Sequence, residues 1–134
     1  MKLTRTIRDA IKDGYSSDFI ALLEEFGKWS RYFGCQGYGG GARGESYVID
    51  DESAAILDRV LCRLKREHPG LYLLFTRYYI GGMTEMQIVR EIRRLRLIDD
   101  QCLRYANTVM IRERIQAGEL WILEVLNEKG LERA

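Results

Sequence analysis

Side chains suited to nucleic-acid binding are concentrated between residues 93 and 108 of this 134-residue chain. Arginine can donate paired hydrogen bonds to guanine or phosphate, and glutamine can pair with adenine. We therefore predict a DNA contact surface, in which a basic run reaches phosphates and a following helix reads base edges. The phosphate-contacting residues are Arg93, Arg94 and Arg96, and the base-reading residues are Asp100, Gln101, Arg104, Tyr105 and Thr108.

Catalytic chemistry is not indicated elsewhere in the chain. The single histidine, His68, stands beside Pro69 in a predicted turn, which is a poor position for the base of a nucleophile–base pair. Carboxylate pairs occur at residues 50–51 and 99–100, but both fall at predicted helix starts, where capping and the helix dipole account for them. We expect no enzymatic activity.

Metal binding is equally poorly supported, because the three cysteines, Cys35, Cys62 and Cys102, are far apart and form no CxxC pair. Tetrahedral zinc sites need four ligands that are usually paired at short spacing. We expect reduced, mostly buried cysteines, no metal and no cofactor.

The composition favours one soluble domain, with 46% hydrophobic and 31% charged residues and a net charge of +1. No apolar run approaches the length of a membrane span, and the N-terminus lacks a signal-peptide core. We expect a cytoplasmic protein with no membrane partner. Residues 71–114 carry eight basic and five acidic side chains, a local excess compatible with nucleic acid.

Apolar residues recur at intervals of three and four almost throughout, which predicts an all-α, compact helical domain over residues 1–134. We divide it into N-terminal helices within 18–66, joined by a glycine-rich loop at 34–46, then a helix-turn-helix DNA-binding unit at 71–114, then a C-terminal helix or tail at 115–134. The predicted helices span about 18–33, 50–66, 71–80, 85–95, 100–116 and 119–128, after an N-terminal arm or short helix within 1–15.

The start of the helix predicted at about 85–95 is marked by a clear local sequence pattern. Thr84 and Gln87 form a T-x-x-Q capping box, which starts a helix at Glu85. Asp99 is the predicted cap of the helix that reads DNA, and Gly118 is predicted to break that helix from the last one. Other expectations are a cap at Ser17 or Asp18 and apolar inner faces that include Phe19, Leu22, Leu23, Phe26, Leu57, Val60, Leu61, Leu64, Leu71, Leu74, Phe75, Tyr78, Ile88, Ile92, Leu103, Ala106 and Met110. The last segment, 119–128, is predicted to be amphipathic and contains Leu120, Trp121, Leu123 and Leu126.

Three stretches of the chain resemble one family of phage proteins. They are YYIGGMTEMQIVREI at 78–92, DFIALLEEFGKWSRYFG at 18–34, and the pair of helices from the acidic residues at 50–51 to the Gly-Met-Thr at 82–84. Together they cover most of residues 18–112, and they are similar to the late-gene antitermination Q family of lambdoid phages, in the phage 21-type subfamily.

The resemblance implies a phage transcription antitermination factor with a sigma-region-4-like helix-turn-helix. Such proteins bind double-stranded DNA at the late promoter, join paused host bacterial RNA polymerase and suppress pausing and termination at the RNA exit channel. By this likeness, Asp99 caps the recognition helix and Leu103 is its buried anchor. Nascent RNA and a second protomer on the DNA are further partners left open. The interval from Thr84 to Asp99 is about one helical turn longer than in related units.

Two other functions stay open at this point. One is a DNA-binding phage transcription regulator without antitermination activity. The other is a purely protein-binding helical module, in which Trp29, Tyr32 and the terminal helix dock a partner and the arginines are solvated surface.

Overall fold

The computed structural model of the chain describes residues 6–33, 49–95 and 107–130. Within these ranges it contains six α-helices and no strand of a sheet, which confirms the all-α class. The helices are α1 (Ile7–Ile11), α2 (Ser17–Phe33), α3 (Asp51–Glu67), α4 (Pro69–Tyr79), α5 (Glu85–Leu95) and α6 (Thr108–Val125), and a π-helical segment, Leu126–Gly130, continues α6.

The N-terminal helices begin at hydroxyl caps. The hydroxyl of Thr6 accepts a hydrogen bond from the backbone N–H of Asp9 at 3.3 Å, at the start of α1. At the start of α2 the hydroxyl of Ser16 accepts a hydrogen bond from the N–H of Phe19 at 3.4 Å. The cap is therefore Ser16 and not the predicted Ser17 or Asp18. The inner face of α2 is buried as predicted, through Phe19, Leu22, Leu23 and Phe26.

Helices α3 and α4 are joined at His68 and pack against each other and against α6. Pro69 is the first residue of α4, where its missing N–H costs no helical hydrogen bond. The inner face of α3 is buried through Leu57, Val60, Leu61 and Leu64, as the periodicity predicts. At the end of α4 the prediction was wrong by one position, because Tyr79 is buried and Tyr78 is 38% exposed.

A close approach between α2 and the end of α4 fixes the turn that follows α4. A Cβ atom at Gly27 would lie 2.1 Å from the carbonyl oxygen of Tyr79, so only glycine fits there. The guanidinium of Arg31 donates to the carbonyl oxygens of Tyr79 and Ile80, at 3.4 and 2.9 Å, and satisfies acceptors that a helix end leaves unpaired. The chain then turns through Gly82, whose φ of +69° favours glycine.

Helix α5 starts as predicted. The hydroxyl of Thr84 accepts from the N–H of Gln87 at 3.2 Å, and the side-chain oxygen of Gln87 accepts from the N–H of Thr84 at 2.8 Å. This reciprocal pair is the predicted capping box. Ile88 and Ile92 are buried, and so is Val89.

Helix α6 corrects two predictions. Asn107 has extended backbone angles and its side chain accepts from the N–H of Met110 at 2.9 Å, so a helix begins at Thr108 and a continuous helix over 100–116 is excluded. The helix then runs through Gly118 without a break, because Gly118 is buried beside Leu71 of α4, where a small residue packs well. Of the apolar residues in the predicted amphipathic segment at 119–128, Leu123 and Leu126 are buried and Leu120 is 45% exposed.

Two further observations concern the exposure of a cysteine and the length and hydrophobicity of the helices. Cys62 is exposed, because it lies on the outer side of α3, so the expected burial does not hold for this cysteine. Cys35 and Cys102 lie outside the described residues. Among the described residues, no helix has both the length and the apolar character needed to span a bilayer.

Candidate nucleic-acid interface

The helix at the centre of the predicted interface, α5, is anchored by two ion pairs, one at its first residue and one just past its middle. The guanidinium of Arg112, on α6, donates to both carboxylate oxygens of Glu85 at 3.0 Å each. These hydrogen bonds hold the pKa of Glu85 below its usual value. Arg77, on α4, pairs with Glu91 at 2.8 Å. Both carboxylates of α5 are thus matched by arginines from neighbouring helices, which fixes the orientation of α5.

The arginines that belong to α5 itself are exposed. Arg90, Arg93 and Arg94 occupy its second half, while Ile88, Val89 and Ile92 face the core. The helix therefore has one apolar side and one side with three guanidinium groups near its C-terminal end. A surface of this kind can bring positive charge to a phosphate backbone.

The predicted site residues are distributed as follows. Arg93 and Arg94 lie together in the last turn of α5, and Thr108 is the half-buried first residue of α6. Because Asn107 is extended, Thr108 is not on one continuous helix with the earlier predicted base-reading residues. Outside the described residues lie Arg96, Asp100, Gln101, Arg104 and Tyr105.

An open groove of about 880 Å³ lies at the opposite, N-terminal end of α5. Its charged lining residues are balanced in sign, with Glu24, Glu25 and Glu85 against Lys28, Arg31 and Arg112. Balanced charge gives no net attraction to a polyanion. Of the two ends of α5, the C-terminal half therefore carries the exposed positive charge.

A buried polar cluster that the sequence did not predict connects α4 to α6 and to the segment before α2. The carboxylate of Glu119, only 5% exposed on α6, accepts hydrogen bonds from the hydroxyls of Tyr15 and Tyr79. Burial, followed by the hydrogen bond to Glu119, raises the pKa of both tyrosines. The cluster joins the segment before α2, the end of α4 and the middle of α6.

A signal for this cluster was present in the helical pattern. Glu119 lies four residues after Ile115 and three before Ile122, and both isoleucines are buried. A carboxylate on the apolar face of a helix requires a partner, because burial of an unpaired charge is costly. The pattern indicates that a partner exists without identifying it.

Comparison of the chain with protein-family models, curated proteins and solved structures found no match.

Proposed function

We propose that this protein is a phage transcription antitermination factor. It binds DNA at the late promoter, joins paused host RNA polymerase and suppresses pausing and termination at the RNA exit channel. It catalyses no reaction and needs no cofactor. The basis for the promoter and polymerase parts of the proposal is the resemblance of residues 18–112 to the Q family.

DNA binding is supported by the arrangement of charged side chains on α5. Its two carboxylates are engaged by Arg77 and Arg112, and Arg90, Arg93 and Arg94 are exposed at its C-terminal half. An anchored helix that presents positive charge can hold the protein in register on a duplex. The chain continues from this end of α5 directly into the predicted base-reading residues.

In this proposal the two groups of residues have separate roles. Arg93, Arg94 and Arg96 contact phosphates and position the protein, while Asp100, Gln101, Arg104 and Tyr105 contact base edges. Thr108, at the start of α6, lies at the border of the contact surface. Phosphate contacts set affinity and its salt dependence, and base contacts set the preferred sequence.

The test is transcription by purified bacterial RNA polymerase from a phage late promoter that is followed by an intrinsic terminator. We expect the protein to increase read-through, and to lose this effect on a template whose promoter-proximal sequence is scrambled. Binding to the promoter fragment is measured in parallel. Binding without read-through would identify a DNA-binding regulator, and neither binding nor read-through would overturn the proposal in favour of a protein-binding module.

A further inference from the structure

A second basic surface lies on α3. Residues 59–67 carry four basic side chains and one acidic side chain. Arg59, Arg63 and Arg66 are separated by four and three residues, which places them in one row along the helix. Arg59 and Arg66 are exposed, and Arg63 is partly exposed and pairs with Glu67 at 2.5 Å. The row therefore places three guanidinium groups close together, one of them paired with a carboxylate.

An aromatic ring lies directly beside this row. The guanidinium carbon of Arg63 lies over the ring of Trp121, 5.5 Å from its centroid, and His68 meets the same ring edge-on with centroids 5.9 Å apart. A separate pair, in which the ammonium of Lys65 lies over the ring of Tyr72 at 5.6 Å, is on another side of α3, because residues two apart on a helix do not share a face. Trp121 is partly exposed and packs against the core, so its ring is already ordered.

The helix dipole explains part of this arrangement. Lys65 and Arg66 are in the last turn of α3, where positive charge stabilises the helix end. The dipole effect is confined to that turn, so it does not account for Arg59. It also does not account for the ring of Trp121, which belongs to α6.

We propose that this basic-aromatic face, formed by Arg59, Arg63, Arg66 and Trp121, binds single-stranded nucleic acid. This inference goes beyond the proposed function, which places duplex DNA on α5 and the residues after it. It does not depend on that function, because the two surfaces share no residue.

A single strand is the partner that fits this combination of groups. Sequence-tolerant binding of single strands uses positive charge along the backbone together with aromatic rings on which bases stack. Arg59 and Arg66 can contact successive phosphates, and a base can stack on the Arg63 guanidinium above Trp121. A duplex keeps its bases stacked on each other, so it would use the arginines without the ring of Trp121. A protein partner rich in carboxylates would likewise leave that ring without a role.

The test measures fluorescence anisotropy of labelled single strands of about 12 nucleotides, one of uridine and one of deoxythymidine, with the full chain. The double variant R59E/R66E is compared with K12E/R90E, which makes the same change in net charge away from the face. We expect R59E/R66E to weaken binding roughly tenfold or more, and the slope of log affinity against log salt to fall by about 1.4, since each single-strand phosphate contact contributes about 0.7. The control should retain single-strand binding.

A second pair of variants tests the role of the Trp121 ring. Trp121→Leu should weaken binding several-fold, while Trp121→Phe should retain most of it, with folding of each checked by circular dichroism. Preference for the uridine strand would indicate contacts with ribose hydroxyls, and equal binding would indicate backbone and stacking alone; either supports the proposal.

The same variants are also tested on a labelled 12-base-pair duplex. Loss of duplex binding only in K12E/R90E would separate the two surfaces. The inference is overturned if the wild-type chain does not bind single strands at about 50 mM salt, a condition that favours phosphate contacts. It is also overturned if R59E/R66E binds as well as the control, whatever happens with the duplex.

Discussion

The hydroxyl of Tyr79, at the end of α4, donates a hydrogen bond to the buried carboxylate of Glu119 on α6, 40 residues later in the chain. The same carboxylate accepts from Tyr15, so one charged group fixes three segments. A buried carboxylate needs such partners because it has left water. The DNA-binding unit proposed above therefore depends on a polar contact deep in the fold.

This relationship predicts a loss of stability at alkaline pH. The pKa of Tyr79 is raised in the folded protein, chiefly by burial, so its hydroxyl stays protonated while the unfolded chain releases that proton above pH of about 10. The stabilisation is complete below that pH and falls as pH rises further, by about 1.4 kcal/mol per pH unit for one proton. The measurement is urea unfolding between neutral and alkaline pH.

The matched variant is Tyr79→Phe, which keeps the ring but has no proton to lose. We expect it to be less stable at neutral pH by about 1–3 kcal/mol, because Glu119 loses one donor, and to show a shallower alkaline loss. Tyr15, which is 41% exposed, should contribute less than Tyr79. An equal alkaline slope in wild type and variant would show that Tyr79 is not the responsible group.

Gly27 provides a test of the contact between α2 and α4. A methyl group there would overlap the carbonyl oxygen of Tyr79, so Gly27→Ala must push the helices apart. We expect a loss of about 2–4 kcal/mol in the free energy of unfolding. Gly70→Ala is the control, because a Cβ at Gly70 meets no atom within 4 Å, and alanine in α4 should be neutral or stabilising by up to about 1 kcal/mol. Similar effects of the two substitutions would contradict this packing.

The capping box predicts an energetic coupling between Thr84 and Gln87. Thr84→Ala should cost about 0.5–2 kcal/mol, because it removes the acceptor for the N–H of Gln87. Gln87→Ala removes the reciprocal acceptor, and the double variant should cost less than the sum of the two single costs. Thermal unfolding of the wild type, the two single variants and the double variant provides the double-mutant cycle. Strict additivity would mean that the two bonds form independently and that the box is not a unit.

The proposed DNA interface predicts two different consequences of removing arginines. Arg94→Ala, on α5, should weaken binding to all duplexes similarly and lower the salt slope by about 0.9, the contribution of one duplex phosphate contact. Arg104→Ala should instead relax base preference at one position, at a cost of about 1–3 kcal/mol for the preferred site. Lys12→Ala is the control away from the interface. The measurement is competition binding on promoter fragments with single base changes; a change of preference in Arg94→Ala would reverse the assigned roles.

The sequence was informative wherever the determining interaction is local. The T-x-x-Q pattern places both partners of the capping box within four residues, so the start of α5 could be predicted to the residue. The buried faces of α2 and α3 follow from periodicity alone, because any three- and four-residue apolar stripe must find a core. Those predictions are confirmed.

The failures are equally specific. Leu103, Ala106 and Met110 continue an apolar stripe, so periodicity carried the predicted helix across Asn107, where the chain is extended and a new helix is capped. Asn107 is of a residue type that favours N-cap positions, but so is Asp99, which was predicted as the cap because it comes earlier in the apolar pattern. The Tyr15–Glu119 and Tyr79–Glu119 bonds join residues 104 and 40 positions apart, and no local pattern encodes such pairings.

Within the proposed site, the sequence could indicate residue types but not their arrangement. The exposure of Arg94 follows from the helical pattern of α5, whereas the pairing of Glu85 with Arg112, 27 residues later, depends on how α5 and α6 cross. Arg96 and the base-reading residues at 100–105 remain predictions.

The continuity of α6 through Gly118 makes this helix a spacer of fixed length. Thr108, beside the proposed duplex surface, and Trp121, in the basic-aromatic face, are 13 residues apart on it, an axial distance of roughly 20 Å. A nucleic acid engaged by both surfaces at once would have to bridge at least that span, so a short junction between duplex and single strand would occupy only one of them.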